Sequence, residues 1–119
     1  MKPHIHSRNS VRKYGGRVKD YQHIHDFFDS SKATLPDVRH RAILHSAFGI
    51  FLLEKVFGVT MVNSDGKTVS IRDLGEDHVK EDLGFIPTVE HWLKNMEIQD
   101  WMFGIERGKT TKVIKFDED

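Results

Sequence analysis

Apolar residues recur at helical spacing through much of this chain. Tyr21, Ile24, Phe27 and Phe28 fall at three- and four-residue intervals and predict a helix from about Asp20 to Lys32, with Asp20 as N-cap. A second helix is predicted from Pro36 to Phe57. Pro36 suits a first turn, Asp37 suits the positive end of the dipole, and Gly58 is placed to stop it. Ile43, Leu44, Ala47, Phe48, Phe51, Leu52 and Val56 cover more than half its circumference, which reads as a central helix touched on several sides.

The period then changes. Val59-Thr60-Met61-Val62 and Thr68-Val69-Ser70-Ile71 flank an Asp65-Gly66 turn, which predicts a short antiparallel hairpin. Ser70 and Asp73 resemble a capping box and open a third helix from about Ile71 to Leu83, closed by Gly84. Pro87-Thr88 starts a shorter helix with Trp92, Leu93 and Met96 facing inward, and Trp101, Met102, Phe103 and Ile105 add a last apolar patch. The expected fold is mainly α (α+β): a single-domain helical bundle with one small hairpin. Its core spans residues 20–105. Residues 1–19, which show no clear period, are read as a basic N-terminal arm or short strand. Residues 106–119 are read as a tail with a strand around Val113, Ile114 and Phe116 and a loose acidic end.

Composition narrows the chemistry. The 119 residues include no cysteine, which excludes disulfides, thiol nucleophiles, thiolate zinc fingers and thiolate-bound clusters. Lys plus Arg and Asp plus Glu are 18 each, so nothing demands a polyanionic partner. The basic N-terminal stretch, with Tyr14, and Arg39 and Arg41 beside His40 are the places where nucleic acid or phosphate would bind, but nucleic acid is not favoured. No apolar run approaches the ~18 residues of a membrane span, and the chain is read as cytoplasmic. There is no G-x-S-x-G elbow and no phosphate-binding glycine loop.

Eight histidines stand out against that background: His4, His6, His23, His25, His40, His45, His78 and His91. Several fall on apolar stripes. Neutral imidazole is the commonest protein ligand for transition metals, and a bundle of helices can converge such groups on one point. We take His25, His40, His45 and His78 as the candidate ligands of a divalent metal, with zinc the expected ion, and Asp29, Asp37, Glu76 and Asp82 as nearby carboxylates. His40 and His45 are five apart, about 140° around a helix, so they are not a same-face pair, and His45 is preferred as the inward one. His4 and His6 would share a face in a strand. With an open coordination position the ion would activate water for hydrolysis, and Glu76 or Asp29 would be the general base. The competing reading is that each histidine is a core residue bonded to its own carboxylate or carbonyl.

Six segments carry a resemblance. They are D-S-S-K (Asp29 to Lys32), D-V-R-H-R-A-I-L-H (Asp37 to His45), F-G-I-F-L-L-E-K-V-F-G (Phe48 to Gly58), N-S-D-G-K (Asn63 to Lys67), E-D-H-V-K-E-D-L-G-F-I-P-T (Glu76 to Thr88) and W-M (Trp101-Met102). Together, from about His4 to Gly104, the chain resembles a small family of unknown function found in bacteria and bacteriophages. The resemblance implies a shared fold and site, and a phage or mobile-element origin; it implies no reaction. The rival to a metal site is therefore a non-enzymatic interaction protein that binds a host protein, or a homo-oligomer, through Trp92, Trp101, Met102 and Phe103.

Overall fold

The computed structural model describes residues 1–105. Six α-helices and one antiparallel hairpin appear among them: α1 Pro3–Tyr14, α2 Val18–Asp29, α3 Arg41–Leu44, α4 Ala47–Phe57, β1 Thr60–Val62, β2 Thr68–Ser70, α5 Ile71–Leu83 and α6 Val89–Leu93. The mainly helical architecture with a single small hairpin matches the sequence reading. The tail expected over 106–119 lies outside the described residues.

Two helices supply most of the core. α2 buries Tyr21, Ile24, His25 and Phe28, and α5 buries Ile71, Leu74, Gly75, His78 and Val79. Each set follows the spacing that puts side chains on one helix face, and each includes one histidine among apolar neighbours. Ile50 and Leu53 of α4 close the core between them. Gly75 permits the approach: a Cβ there would stand 2.9 Å from Leu53 Cδ2 and 3.4 Å from Phe28 Cζ.

The N-terminal stretch is a helix, not an arm or a strand. Pro3 occupies its first turn, where a missing N–H costs nothing, and Gly15 ends it at φ +83°. Its buried face is His6, Ser7 and Ser10, so burial there leaves no apolar stripe in the sequence. Ser10 Oγ donates to the His6 carbonyl at 3.2 Å, and Ser7 Oγ donates to Gln22 Oε1 at 3.2 Å. In α2, Asp20 is not the N-cap; it lies three residues inside and its carboxylate accepts from Arg17 N–H at 2.8 Å.

The predicted long helix from Pro36 to Phe57 is broken. A 3-10 turn over Val38–His40 leads into α3, which ends at Leu44, and α4 starts afresh at Ala47. Ser46 caps α4 by accepting from Gly49 N–H at 3.1 Å, and Ala47 N–H donates to the Pro87 carbonyl at 2.9 Å. The fold-back brings the Leu44 carbonyl onto Gly49, where a Cβ would lie 1.7 Å from that oxygen. Nor is α4 a central helix, since Phe48, Phe51 and Val56 are about half exposed or more. In α6, Trp92 is half-buried but Leu93 and the following Met96 are exposed, against the inward face expected of them.

The break sets His45 at the C-terminus of α3, at φ −79° and ψ 67°, instead of on a continuous helical face. Gly49→Ala therefore collides with backbone that has nowhere to move. It is expected to cost at least about 3 kcal/mol, the upper end of overpacking penalties, as read by urea denaturation. A loss below about 1 kcal/mol would show that the break relaxes easily.

Candidate metal centre

Four segments deliver fully buried imidazoles to one place. His6 comes from α1, His25 from α2, His45 from the turn after α3 and His78 from α5. Two of these helices also supply a carboxylate one turn further on: Asp29 follows His25 and Asp82 follows His78, both at i+4 and so on the same face. The ring of His78 is at the middle. Its centroid lies 3.8 Å from that of His6 and 5.1 Å from those of His25 and His45, with Phe28 stacked on it at 4.4 Å.

The carboxylate of Asp82, 1% exposed, serves several of these groups. His45 Nε2 donates to its Oδ2 at 2.9 Å. His78 Nε2 is 3.4 Å from Oδ2 and His6 Nε2 is 3.2 Å from Oδ1; these two are within ion-pair reach but not aligned as hydrogen bonds. The amino group of Met1 lies 3.1 Å from Oδ1 and Arg41 lies 3.8 Å from it. Burial alone would raise the Asp82 pKa. The hydrogen bonds from His45 and the Met1 amine, with the His6 and His78 rings close by, outweigh it and hold the group well below the usual carboxylate range. Asp82 is thus an anion, and His45 must carry its ring hydrogen on Nε2.

That assignment leaves the His45 Nδ1 lone pair free, and no hydrogen bond reaches it. Asp29 Oδ2 and His78 Nε2 are likewise buried without a hydrogen-bond partner, although Lys32 Nζ comes within 3.7 Å of that Asp29 oxygen. Asp29, His45 and His78 each offer one ligand atom within 4.8 Å of the others, and so do His6, His25 and His78. Buried polar groups are normally satisfied, so unpartnered atoms on three residues of one group point to something that fills the space between them. His25 is tied on both sides, with Nε2 2.8 Å from Ser10 Oγ and Nδ1 2.9 Å from His78 Nδ1.

Of the ligands expected from sequence, the structure brings together His25, His45 and His78. His40 is buried nearby, its ring centroid 6.0 Å from that of His45, but it lies outside both groups and pairs with Ser31, 3.4 Å from its Nδ1. Asp29 joins the cluster as a ligand-type oxygen. Glu76 does not reach it: two residues before His78 on α5, it points elsewhere and pairs with Arg72 at 3.0 Å, in a groove formed with Glu54 and Phe51. His6 is the member that sequence reasoning missed, because its H-x-H pairing with His4 assumed a strand. In the helix His4 faces solvent and His6 faces the core, with Nδ1 2.6 Å from Glu81 Oε1. Trp92, expected at an interface, donates its indole N–H to the His45 carbonyl at 2.8 Å and so anchors the turn that presents this ring.

The titration of the cluster follows from this geometry. Burial holds His25 neutral, its pKa lowered to about 2, and burial likewise lowers His78 to about 4. For His6, burial is outweighed by the Asp82 and Glu81 carboxylates beside it, and its pKa rises. Below pH 6.5 the unfolded chain protonates His25 and His78 while the native protein does not, so both subtract stability as pH falls: His78 down to about 4 and His25 down to about 2. His6 works in the opposite direction, and its contribution is full below 6.5 and lost as pH rises through its folded value. His6 is protonated in both states well below 6.5 and adds no slope there, so the two neutral histidines leave a loss approaching roughly 2.7 kcal/mol per pH unit between 6.5 and the folded value of His78. Thermal melts in chelator from pH 7.5 to 5 are expected to show Tm falling with pH. A flat profile would contradict the neutral state of the buried pair.

Neither the curated proteins nor the solved structures gave a match to this chain. Residues 1–102, nearly all of what the structure describes, match the family described as a domain of unknown function, DUF6915, and the chain belongs to that family.

Proposed function

We propose that this protein binds a divalent transition-metal ion, zinc by preference, through Asp29, His45 and His78. The observation that carries the reading is the convergence of unpartnered buried atoms on these residues: a carboxylate oxygen and two imidazole nitrogens. Two imidazoles and one carboxylate form a donor set that suits zinc, and Asp82 on His45 Nε2 is the outer carboxylate that orients a zinc-bound histidine. Zinc bonds of about 2.0–2.1 Å place neighbouring tetrahedral ligand atoms roughly 3.3 Å apart, a spacing that falls within the 4.8 Å limit of this group.

Three protein ligands leave a fourth position for water, which zinc brings to a pKa near 7. The Asp29 side chain is the one of the three with any exposure, 11% against 0% for His45 and His78, and so lies nearest to solvent. This favours metal-dependent hydrolysis as the activity, with Asp29 as ligand and not as base.

Titration of chelator-treated protein with zinc is expected to show tight uptake that His45→Ala weakens by 100-fold or more. Zinc at 100 times its Kd is expected to stabilise the wild type by about 2.7 kcal/mol. A wild-type chain that takes up no zinc and gains no stability from it would overturn the proposal.

A second reading, self-association or partner binding, is favoured by the exposure of Trp101 and Met102, at 48% and 39%. Sedimentation over a range of concentrations tests it. Concentration-dependent association that Trp101→Ala abolishes supports it, and a monomer throughout, with no partner retained on the wild-type protein, removes it.

A further inference from the structure

The three-ligand site accounts for only part of the cluster. His6 and His25 are fully buried and take no part in it, yet with His78 they form a second group whose ligand atoms lie within 4.8 Å of one another. His78 is common to both groups. Its two ring nitrogens have different surroundings: Nδ1 faces His25 Nδ1 at 2.9 Å, and Nε2 has no hydrogen-bond partner and lies on the Asp82 side, where His45 also points. His6 Nε2 is the fourth buried side-chain atom without a hydrogen-bond partner among the described residues. The four residues that carry such atoms, His6, Asp29, His45 and His78, all belong to one or other of the two groups.

We propose that the centre is dinuclear, with a second divalent cation held by His6 and His25 and with the ring of His78 bridging the two ions. The proposal rests on the Asp29–His45–His78 site and extends it. His78 then binds one ion through each nitrogen and gives up its ring proton to solvent, becoming an imidazolate. Two metal–nitrogen bonds of about 2.0 Å and the width of the ring set the ions roughly 6 Å apart, wider than the 3.5–4 Å of two-metal hydrolytic sites. Glu81 Oε1 lies 2.6 Å from His6 Nδ1 and would orient that ring, as an outer carboxylate orients a metal-bound histidine.

The packing explains why one ring serves both sides. The His78 ring is stacked against both His6 at 3.8 Å and Phe28 at 4.4 Å, which hold its plane, and the His25 and His45 rings each stand 5.1 Å from it. Ser10, bonded to His25 Nε2, fixes the ring that directs Nδ1 at His78.

Copper(II) is the probe that reads a bridge directly, because unpaired spins on two ions sharing an imidazolate couple and lose paramagnetic resonance intensity. The full-length chain, stripped with chelator and titrated with copper(II), is expected to bind two ions. Its low-temperature resonance signal is expected to be well below that of two isolated ions. His25→Gln is expected to retain one copper with full, uncoupled intensity. Two coppers with full intensity in the wild type would overturn the bridge. A single copper in the wild type would overturn the second ion, its loss in His45→Ala leaving the three-ligand site standing, and no copper at all would overturn both. The wild-type signal decides the matter without any variant, so a substitution that fails to fold does not obscure the result.

Discussion

The structure depends on a buried anion that several imidazoles share. Asp82 is removed from water, and desolvating an ionised carboxylate costs several kcal/mol unless it is well paired. Its partners come from distant parts of the chain: His6 on α1, His45 and Arg41 around α3, and His78 one turn away on α5. His45 makes the hydrogen bond, so its loss would leave this buried charge the most poorly paired. The carboxylate thus ties the N-terminal helix, the central turn and α5 into one arrangement, and it fixes which nitrogen of His45 bears hydrogen.

The surrounding elements serve to hold rings in position. His25 and His78 are placed by the apolar faces of α2 and α5, helices whose packing is set by Phe28, Leu53, Leu74 and the close approach at Gly75. His45 has no helix to hold it. Its position is fixed by the Ser46 cap on α4, by the Leu44 carbonyl seated on Gly49, and by the indole of Trp92 on its own carbonyl. Placed by this break in the helix, the His45 ring stands at 60° to that of His78, with centroids 5.1 Å apart.

Much of this was legible from residue pattern, and the exceptions have physical reasons. The hairpin, α5 with its Ser70 cap and Gly84 stop, and the mainly helical fold follow from local chemistry that tertiary contacts leave alone. The N-terminal helix was not legible because its buried face is histidine and serine, which hydrophobic periodicity does not register. The break at His45 was not legible because Ser46 and Gly49 look unremarkable in an apolar run until the chain folds back on them. For the cluster, sequence pointed to His25, His40, His45 and His78 as ligands and to Asp29 as a base; the structure gathers three of those histidines with Asp29 and leaves His40 outside. His6 was missed with the helix that carries it, and Glu76 was placed with the histidines by proximity in sequence although the helix turns it away.

X-ray absorption at the zinc edge tests the central claim most directly, because it reads the atoms around the ion itself. Zinc bound to this chain is predicted to show only nitrogen and oxygen neighbours at about 2.0–2.1 Å, with the outer-shell scattering of at least two imidazole rings. A first shell of oxygen alone, without imidazole scattering, would place the ion on surface carboxylates and contradict the account.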